Sequence, residues 1–271
     1  MRHGRSRPIP EVPASRTPTL HRPLRARWPT LLALVLIAVA ALPALPGHAE
    51  TPLISRETLE QAIREYLLNH PEVILESLRR AEQRQREVAR AQARAAVQAH
   101  QADLLQSPDS PVGGNPAGDV TIVAFFDYRC PHCRRMMPVI KTLLAEDPGV
   151  RLVYKEMPIL GEESVLAARA AVAARGQGKY AEAHERLMAE SGPMTRGTLV
   201  ATLAAIGLDG DRLRADMEAP EIGALLGREL ALAQALGIDG TPAFVVGGEL
   251  VVGAVDIGTL RELISRARRT R

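Results

Sequence analysis

The sequence predicts an α/β fold that carries a helical insertion and is preceded by an N-terminal helical arm. An apolar run, Val120–Phe126, is followed by a helical pattern and then by a second apolar run at residues 150–155. Residues 162–238 are helical by pattern, and residues 243–252 have the pattern of a hairpin. Because a strand, a helix and a strand in succession form a parallel pair, we expect a sheet with a parallel core.

The first 49 residues have the features of a secretion signal. They hold seven Arg and one Glu, then 12 apolar residues at positions 31–42, and end in Gly47-His48-Ala49. We predict cleavage after Ala49 and export to the periplasm. A membrane anchor is the alternative, although a membrane span needs about 20 apolar residues.

Charge gives no reason to expect nucleic acid or an anionic membrane surface as a partner. The whole chain has a net charge of +3, and the leader, with a net charge of +6, leaves −3 for residues 50–271. The basic balance of the chain therefore comes from its leader, and the exported part is mildly acidic.

The pattern of residues 50–106 predicts two helices. The first covers residues 55–69. The second begins at Pro71 and is longer, because no Gly or Pro recurs before Pro108. A heptad pattern runs along the second helix, and its members are Ile74, Leu78, Ala81, Gln85, Val88, Gln92, Ala95, Ala99 and Ala102. This pattern favours self-association through residues 55–105, and a solvated spacer helix is the alternative.

Residues 107–118 hold three Pro and three Gly, a composition typical of a linker, so we place the catalytic domain at residues 119–271. Within it we expect a helix over residues 133–145 after the first strand. Five helices fill residues 162–238, at 164–175, 179–190, 195–206, 211–217 and 221–236. The hairpin strands and a last helix over residues 257–268 complete the domain.

The only two cysteines lie three positions apart, in Cys130-Pro131-His132-Cys133, between the first strand and its helix. A sulfur at a helix start lies beside unpaired N–H groups and the positive end of the helix dipole, so its thiolate is favoured. A protonated His132 would add positive charge, while Pro131 removes a competing N–H. We therefore predict a redox pair, with Cys130 as the exposed attacking sulfur and the more buried Cys133 as the resolving one.

Other uses of this cysteine pair are less consistent with its spacing. A disulfide that closes so short a loop constrains the unfolded chain little, which weakens a purely structural role. A structural zinc site needs four ligands, and no second C-x-x-C motif is present. Cu(I) accepts two sulfur ligands, so a copper-handling role remains open as an alternative. The leading prediction includes neither a metal site nor a cofactor.

Thr241-Pro242 forms the second element of the predicted site. It follows Gly240 and leads into the first strand of the hairpin, where a cis bond before proline is a frequent solution. An ordinary loop proline is the alternative.

Together these residues resemble the DsbA-like branch of the thioredoxin superfamily. The stretch from Phe125 to Cys133, the helical insertion and Gly240-Thr241-Pro242 occur in the family's order, and the resemblance covers residues 119–268. It implies a thioredoxin-like fold, thiol:disulfide chemistry and a client backbone received by Thr241 and Pro242 beside Pro131. Residues 67–74 are similar to the oligomeric ScsC branch, which implies a homotrimer.

One position departs from the family pattern. Many DsbA-like proteins carry a buried acidic residue six positions before the first cysteine, where this chain has Ala124. A carboxylate there can carry the thiol proton, so its absence puts proton transfer in question. Asp127 is either a substitute or a solvated turn residue, and we predict the latter.

The predicted function is an exported thiol:disulfide interchange enzyme acting on cysteine-containing client proteins. It would be an oxidase or an isomerase, maintained by a membrane redox partner. The alternative is a copper-handling or chaperone-like binding protein that uses the same thiols.

Overall fold

The computed structural model describes residues 54–270, which divide into two units, one ending at Tyr66 and one beginning at Leu67. The predicted secretion signal, residues 1–49, lies outside the described residues. Within residues 54–270, no helix combines the length and the apolar character that crossing a membrane requires.

The helices and strands follow the predicted order closely. The helices are α1 (Arg56–Asn69), α2 (Pro71–Ala99), α3 (Gln101–Leu105), α4 (Pro131–Glu146), α5 (Glu162–Arg175), α6 (Tyr180–Ala189), α7 (Arg196–Ala204), α8 (Gly210–Asp216), α9 (Pro220–Ala235) and α10 (Ile257–Arg269). The strands are β1 (Val112–Gly114), β2 (Val120–Phe126), β3 (Val150–Glu156), β4 (Ala243–Val246) and β5 (Glu249–Val252).

The five strands form one sheet in the order β1-β3-β2-β4-β5. The central pair, β2 and β3, is parallel with Val120 opposite Val150, as predicted. The hairpin β4–β5 is also confirmed, and β4 lies antiparallel to β2. This arrangement brings the end of β2, where the cysteine motif begins, next to the start of β4, which Thr241 and Pro242 precede.

Strand β1 was not predicted, because it lies inside the segment expected to be a linker. It pairs antiparallel with β3 at the edge of the sheet. Gly113 lies against the Tyr154 ring, where an added Cβ would come within 2.8 Å of the hydroxyl oxygen. A sequence as short as Val-Gly-Gly carries no alternation that would mark a strand, so its position depends on this contact and on pairing with β3.

Alternate residues of β2 face the two sides of the sheet, as pleating requires. Ile122 and Ala124 pack with α4 and α10 on one side. Val123 and Phe125 pack with α9 on the other. The alanine-rich helices of the insertion form a third cluster, which includes both cysteines, so the insertion contributes directly to the surroundings of the motif.

The end of the helical arm belongs to the sheet's core. Val97 and Leu104 are 5% and 1% exposed, and they pack with Val123 and Phe125. They lie on a different face from the predicted heptad, whose members are exposed or half-buried. The arm is therefore joined to the catalytic domain through its last turns, from about Val97 onward, before the predicted boundary at residue 106.

Candidate active site

Cys130 is the N-cap residue of α4, and Pro131 occupies the first helical turn. Proline is favoured there because its missing N–H would have no intrahelical partner. The amide of Arg134 donates to the Cys130 carbonyl at 3.2 Å, which closes the first turn of the helix. Cys133 is thereby held one turn from Cys130 and faces the interior.

Both cysteines are reduced and buried, with 4% of Cys130 and 3% of Cys133 exposed. The prediction of an exposed Cys130 is therefore wrong for this state. The Cys130 thiol donates a hydrogen bond to the Thr241 carbonyl at 3.2 Å, so the loop before β4 covers the sulfur. The peptide bond between Thr241 and Pro242 is cis, as predicted.

Burial raises the pKa of the Cys133 thiol to about 12, against an ordinary value of 9.0. Loss of hydration disfavours the charged thiolate, and this effect on the pKa is larger than that of the hydrogen bonds, which favour the thiolate. Cys133 therefore carries its proton at neutral pH, and any reaction in which it attacks must remove that proton.

His132 is exposed, and its Nδ1 lies 2.6 Å from an Arg135 guanidinium nitrogen. Because guanidinium nitrogens only donate, Nδ1 is the acceptor, and the proton of a neutral ring is on Nε2. Arg135 therefore places a permanent positive charge beside the His132 ring at the start of α4. The spacing of three positions along the helix was the sequence signal for this pair.

Asp127 is 1% exposed, so the prediction of a solvated turn residue is wrong. Its carboxylate accepts four hydrogen bonds: from the Arg129 amide at 2.6 Å, the Ile159 amide at 2.9 Å, the Leu160 amide at 3.1 Å and the Ser164 hydroxyl at 2.8 Å. These donors join the loop before Cys130 to the turn that leads into the insertion. With its acceptor sites used in this way, Asp127 positions the motif.

A cavity of about 110 Å³ lies beside Cys133, with Pro242 and Ala124 in its wall. Its lining is mostly apolar and includes three methionines, Met136, Met137 and Met188. Such flexible, polarisable side chains adapt to ligands of different shape. The cavity therefore places Cys133 beside an apolar surface of the kind that accepts varied side chains.

His184 also lines this cavity, and a buried polar network lies behind it. The Tyr128 hydroxyl is 3.1 Å from Nδ1 of His184 and 3.1 Å from Oε1 of Glu156. The Tyr180 hydroxyl donates to the same Glu156 oxygen at 2.8 Å. These four side chains are separated in sequence and come from the β2–α4 loop, β3 and α6, so no local spacing in the chain indicated them.

Burial governs the ionisation of this network. It lowers the pKa of His184 to about 3, so the imidazole stays neutral. Burial is the main cause that raises the pKa of Glu156 well above that of an ordinary carboxyl group, and the negative charge of Glu229 raises it further. Oε2 of Glu156 is buried without a hydrogen-bond partner among the described residues.

On the opposite side of the sheet, Lys155 and Glu229 form a buried ion pair at 3.8 Å. Lys155 also donates to the Asp103 carbonyl at 2.9 Å and to the Ser110 hydroxyl at 2.7 Å, so it fixes the residues that lead into β1. Burial raises the pKa of Glu229 to about 7 and lowers that of Lys155. Glu229 accepts a hydrogen bond from the backbone amide of Glu156 at 2.7 Å, so the ion pair is tied to strand β3.

The predicted site residues therefore fall into two groups. Cys130 contacts Thr241, while Cys133 and Pro242 line the same cavity, so four of them lie together. Pro131 and His132 are exposed at the start of α4. Among residues 54–270 there is no group of three or more His, Cys, Asp or Glu side chains that could hold a metal ion.

Comparison with known proteins agrees with this geometry. Residues 121–265 match the DSBA-like thioredoxin domain family, and residues 56–87 match the copper resistance protein ScsC N-terminal domain. A thioredoxin-like oxidoreductase from Silicibacter pomeroyi is 50% identical, with 62% of this chain and 98% of that chain covered and a TM-score of 0.61. The thiol-disulfide exchange protein alpha-DsbA2 from Wolbachia pipientis is 26% identical, with 64% and 95% covered and a TM-score of 0.61.

Some curated relatives are much longer proteins. Na(+)/H(+) antiporter NhaA 1 from Salinispora arenicola is 28% identical over 158 residues, which are 58% of this chain and 24% of the antiporter. The chain thus spans about a quarter of the length of that relative.

Asp127→Asn tests the role of the buried carboxylate. Each carboxylate oxygen of Asp127 accepts two of the four hydrogen bonds. In Asn one of these oxygens is replaced by an NH₂ group, which cannot accept from the two donors that face it, so two buried hydrogen bonds are lost. We expect the free energy of unfolding to fall by about 2–4 kcal/mol, and by only about 1 kcal/mol for Ser164→Ala, which removes one donor. Urea denaturation measures both, and an Asp127→Asn loss no larger than that of Ser164→Ala would contradict the assignment.

His184→Phe tests the ionisation of the buried imidazole. Because the folded pKa of about 3 lies below the ordinary value of 6.5, the unfolded state binds more protons between these values. The stability from neutral His184 is complete above pH 6.5 and is lost as the pH falls, by up to about 1.4 kcal/mol per pH unit. Urea denaturation from pH 7.5 to 4 should show a shallower acid loss for His184→Phe than for the parent. Equal slopes for parent and His184→Phe would contradict the burial of a neutral imidazole.

Proposed function

Because the chain belongs to the DSBA-like thioredoxin domain family, a family of thiol:disulfide oxidoreductases, we propose that it exchanges disulfides with cysteine-containing client proteins after export to the periplasm. The observation that carries the proposal is the reduced cysteine pair at the start of α4, with the Cys130 sulfur 3.2 Å from the Thr241 carbonyl. A sulfur at that place has the N-terminus of α4 on one side and the Thr241 carbonyl, a backbone acceptor, on the other.

In the proposed reaction the Cys130 thiolate attacks a client disulfide and forms a mixed disulfide, and the displaced client sulfur leaves as a thiolate. Cys133 then attacks the Cys130 sulfur, which releases the second client sulfur and leaves a Cys130–Cys133 disulfide. The reverse sequence oxidises a client. The direction depends on the redox partner that resets the pair, which we take to be a membrane protein.

Because Cys130 is buried under the loop before β4, this loop is proposed to control access to the sulfur. The Thr241 carbonyl accepts the hydrogen bond of the Cys130 thiol, and Thr241 is half-buried. It lies next to Pro242, which borders the apolar cavity. A client segment that pairs with this loop would replace the thiol as hydrogen-bond donor and release the sulfur. Thr241 and Pro242 are thus proposed to bind the client backbone, and the methionine-lined cavity to accept a client side chain.

Substitution of each cysteine separates the two steps. Cys130→Ser is expected to reduce exchange with a disulfide-bonded peptide to the uncatalysed rate, because the attacking sulfur is absent. Cys133→Ser should still form the mixed disulfide but resolve it slowly, so that the adduct is visible by mass spectrometry. Exchange by Cys130→Ser at the parent rate would refute the proposal.

We further propose that the arm assembles the protein into a homotrimer that favours isomerase activity. Apolar side chains along α2 are exposed, with Ile74 at 45%, Leu78 at 56% and Val88 at 57%. They lie on the predicted heptad, whereas the buried Val97 lies on another face. Exposed apolar residues at heptad spacing support a helix partner, and the match of residues 56–87 to the ScsC N-terminal domain supports the same assignment.

The arm can be tested without damaging the core. A chain lacking residues 50–90 keeps Val97 and Leu104 and should remain folded, but should have the mass of one copy in solution, against three for the mature parent. Refolding of scrambled RNase should fall while simple disulfide exchange with a peptide is retained.

Point variants give a matched control for this deletion. Leu78→Arg with Val88→Arg should dissociate the assembly, and Arg79→Ala with Arg90→Ala, on other faces of α2, should not. A parent that is monomeric, or a deletion variant with unchanged mass, would contradict assembly through the arm.

A further inference from the structure

The start of α4 is basic, although residues 50–271 together are acidic. Residues 125–140 contain three Arg and one Asp, which gives them a net charge of +2. Residues 50–271 have a net charge of −3, which is the whole chain's +3 less the leader's +6. The three arginines are Arg129, Arg134 and Arg135, so they flank the cysteine motif on both sides. Because a guanidinium group stays protonated in proteins, this positive charge is permanent.

The carboxylates of this region leave part of the positive charge unbalanced. Asp127 is 1% exposed, and its two oxygens already accept four hydrogen bonds. Glu163 pairs with Arg129 at 3.0 Å. The hydrogen bonds of Arg134 and Arg135 go to a backbone carbonyl and to an imidazole, and neither arginine forms an ion pair among residues 54–270. Two guanidinium groups beside the motif are therefore without a carboxylate partner in that part of the chain.

Arg135 carries its charge at the surface. Its side chain is exposed, and one of its nitrogens lies 2.6 Å from Nδ1 of the exposed His132. Arg135 follows Cys130 by five residues, which places it about 7.5 Å further along the helix axis. This distance is shorter than the screening length of about 10 Å at 0.1 M salt, so a charge held beside the Cys130 sulfur interacts with Arg135.

Arg134 adds a second charge and an unused donor. Its Nε donates to the Tyr128 carbonyl at 3.0 Å, which holds the side chain against the loop that leads into Cys130. Its Nη2 is buried and has no hydrogen-bond partner among the described residues. A guanidinium group presents its donors as a planar fork that matches the two oxygens of a carboxylate. An acidic group that approaches this loop is therefore favoured both by charge and by the unsatisfied donor.

We propose that the start of α4 selects clients that carry aspartate or glutamate near the reacting cysteine in sequence. The inference rests on the proposed function, because it concerns the clients that exchange with Cys130 beside Thr241 and Pro242. Successive residues of an extended client segment are about 3.3 Å apart, so a carboxylate two or three positions from the client cysteine stands about 7–10 Å from it. Arg135 lies at a similar distance from Cys130, so the opposite charges can meet when the two sulfurs react.

Charge acts on the first step of the exchange. The Cys130 thiolate attacks a client disulfide, a bond forms between its sulfur and one client sulfur, and the other client sulfur leaves as a thiolate with the electron pair. This step needs no further reactant. Positive charge at the site, together with the net negative charge of residues 50–271, directs a client carboxylate toward the motif and raises the rate of productive encounters.

The experiment compares three disulfide-bonded peptides that differ only in the residues two positions from each cysteine, which are Glu, Gln or Lys. The peptide ends are acetylated and amidated, so that no terminal charge contributes. The reduced mature protein is mixed rapidly with each peptide, and the mixed disulfide is counted by mass spectrometry after an acid quench. Each rate is divided by the rate of the same peptide with 2-mercaptoethanol, so that the peptide's own reactivity cancels.

For the parent we expect the corrected rate of the Glu peptide to be about 3–10-fold higher than that of the Gln peptide at low ionic strength. The Lys peptide should react more slowly than the Gln peptide. In about 1 M NaCl, where the screening length falls to about 3 Å, the three corrected rates should agree within about twofold.

Variants of Arg135 separate client selection from general reactivity. Arg135→Ala should lose most of the preference for the Glu peptide, and Arg135→Glu should reverse it in favour of the Lys peptide. Arg135→Lys, which keeps the charge, should retain it.

Arg151→Ala is the matched control. Arg151 forms no ion pair among residues 54–270, and it pairs with Thr121 near the start of β2, about 16 Å of strand before Phe126. Its charge is thus more than a screening length from the motif, and this variant should keep the preference of the parent.

Equal corrected rates for the three peptides at low ionic strength would overturn the inference and leave the proposed function intact. If Arg135→Ala slowed all three peptides by the same factor, the charge would act on the Cys130 thiol alone, and client selection would again be refuted. A parent that forms no mixed disulfide with any of the peptides would overturn both proposals.

Discussion

The position of the cysteine pair depends on one buried carboxylate. Asp127 lies three residues before Cys130 and accepts hydrogen bonds from its own loop and from the turn after β3. A buried carboxylate is stable only where donors surround it, so the two segments are held together by the cost of leaving that charge unsatisfied. The carboxylate thus ties the loop that leads into α4 to the turn after β3 and to the first helix of the insertion.

A second consequence of burial is that the two sulfurs, although equally enclosed, have different surroundings. Cys130 is at the helix terminus and touches a backbone carbonyl, while Cys133 faces the apolar side and holds its proton firmly. A sulfur that stays protonated until a mixed disulfide forms does not compete with Cys130 for clients. In the proposed reaction, the order of the two attacks would follow from the surroundings of each sulfur and not from their exposure.

Periodic patterns in the sequence predicted the helices and strands from residue 120 onward, and the motif and Thr241-Pro242 located the site. Such features are local, so one sequence is enough to find them. Strand β1 and the burial of Asp127 depend on which segments meet in space. The network of Tyr128, His184 and Glu156 was beyond prediction for the same reason, because its members are up to 56 positions apart. The heptad on α2 was visible, but not the second face that packs on the sheet.

That second face has a mechanical consequence. Since no Gly or Pro interrupts the chain between Pro71 and Pro108, and Val97 is seated in the domain, the preceding 26 residues of helix extend about 40 Å as one stiff lever. A tilt of about 10° at Val97 would carry the tip through about 7 Å. In the proposed homotrimer, a small repacking around Val97 would therefore change the distance between active sites, and with it the size of client that fits between them.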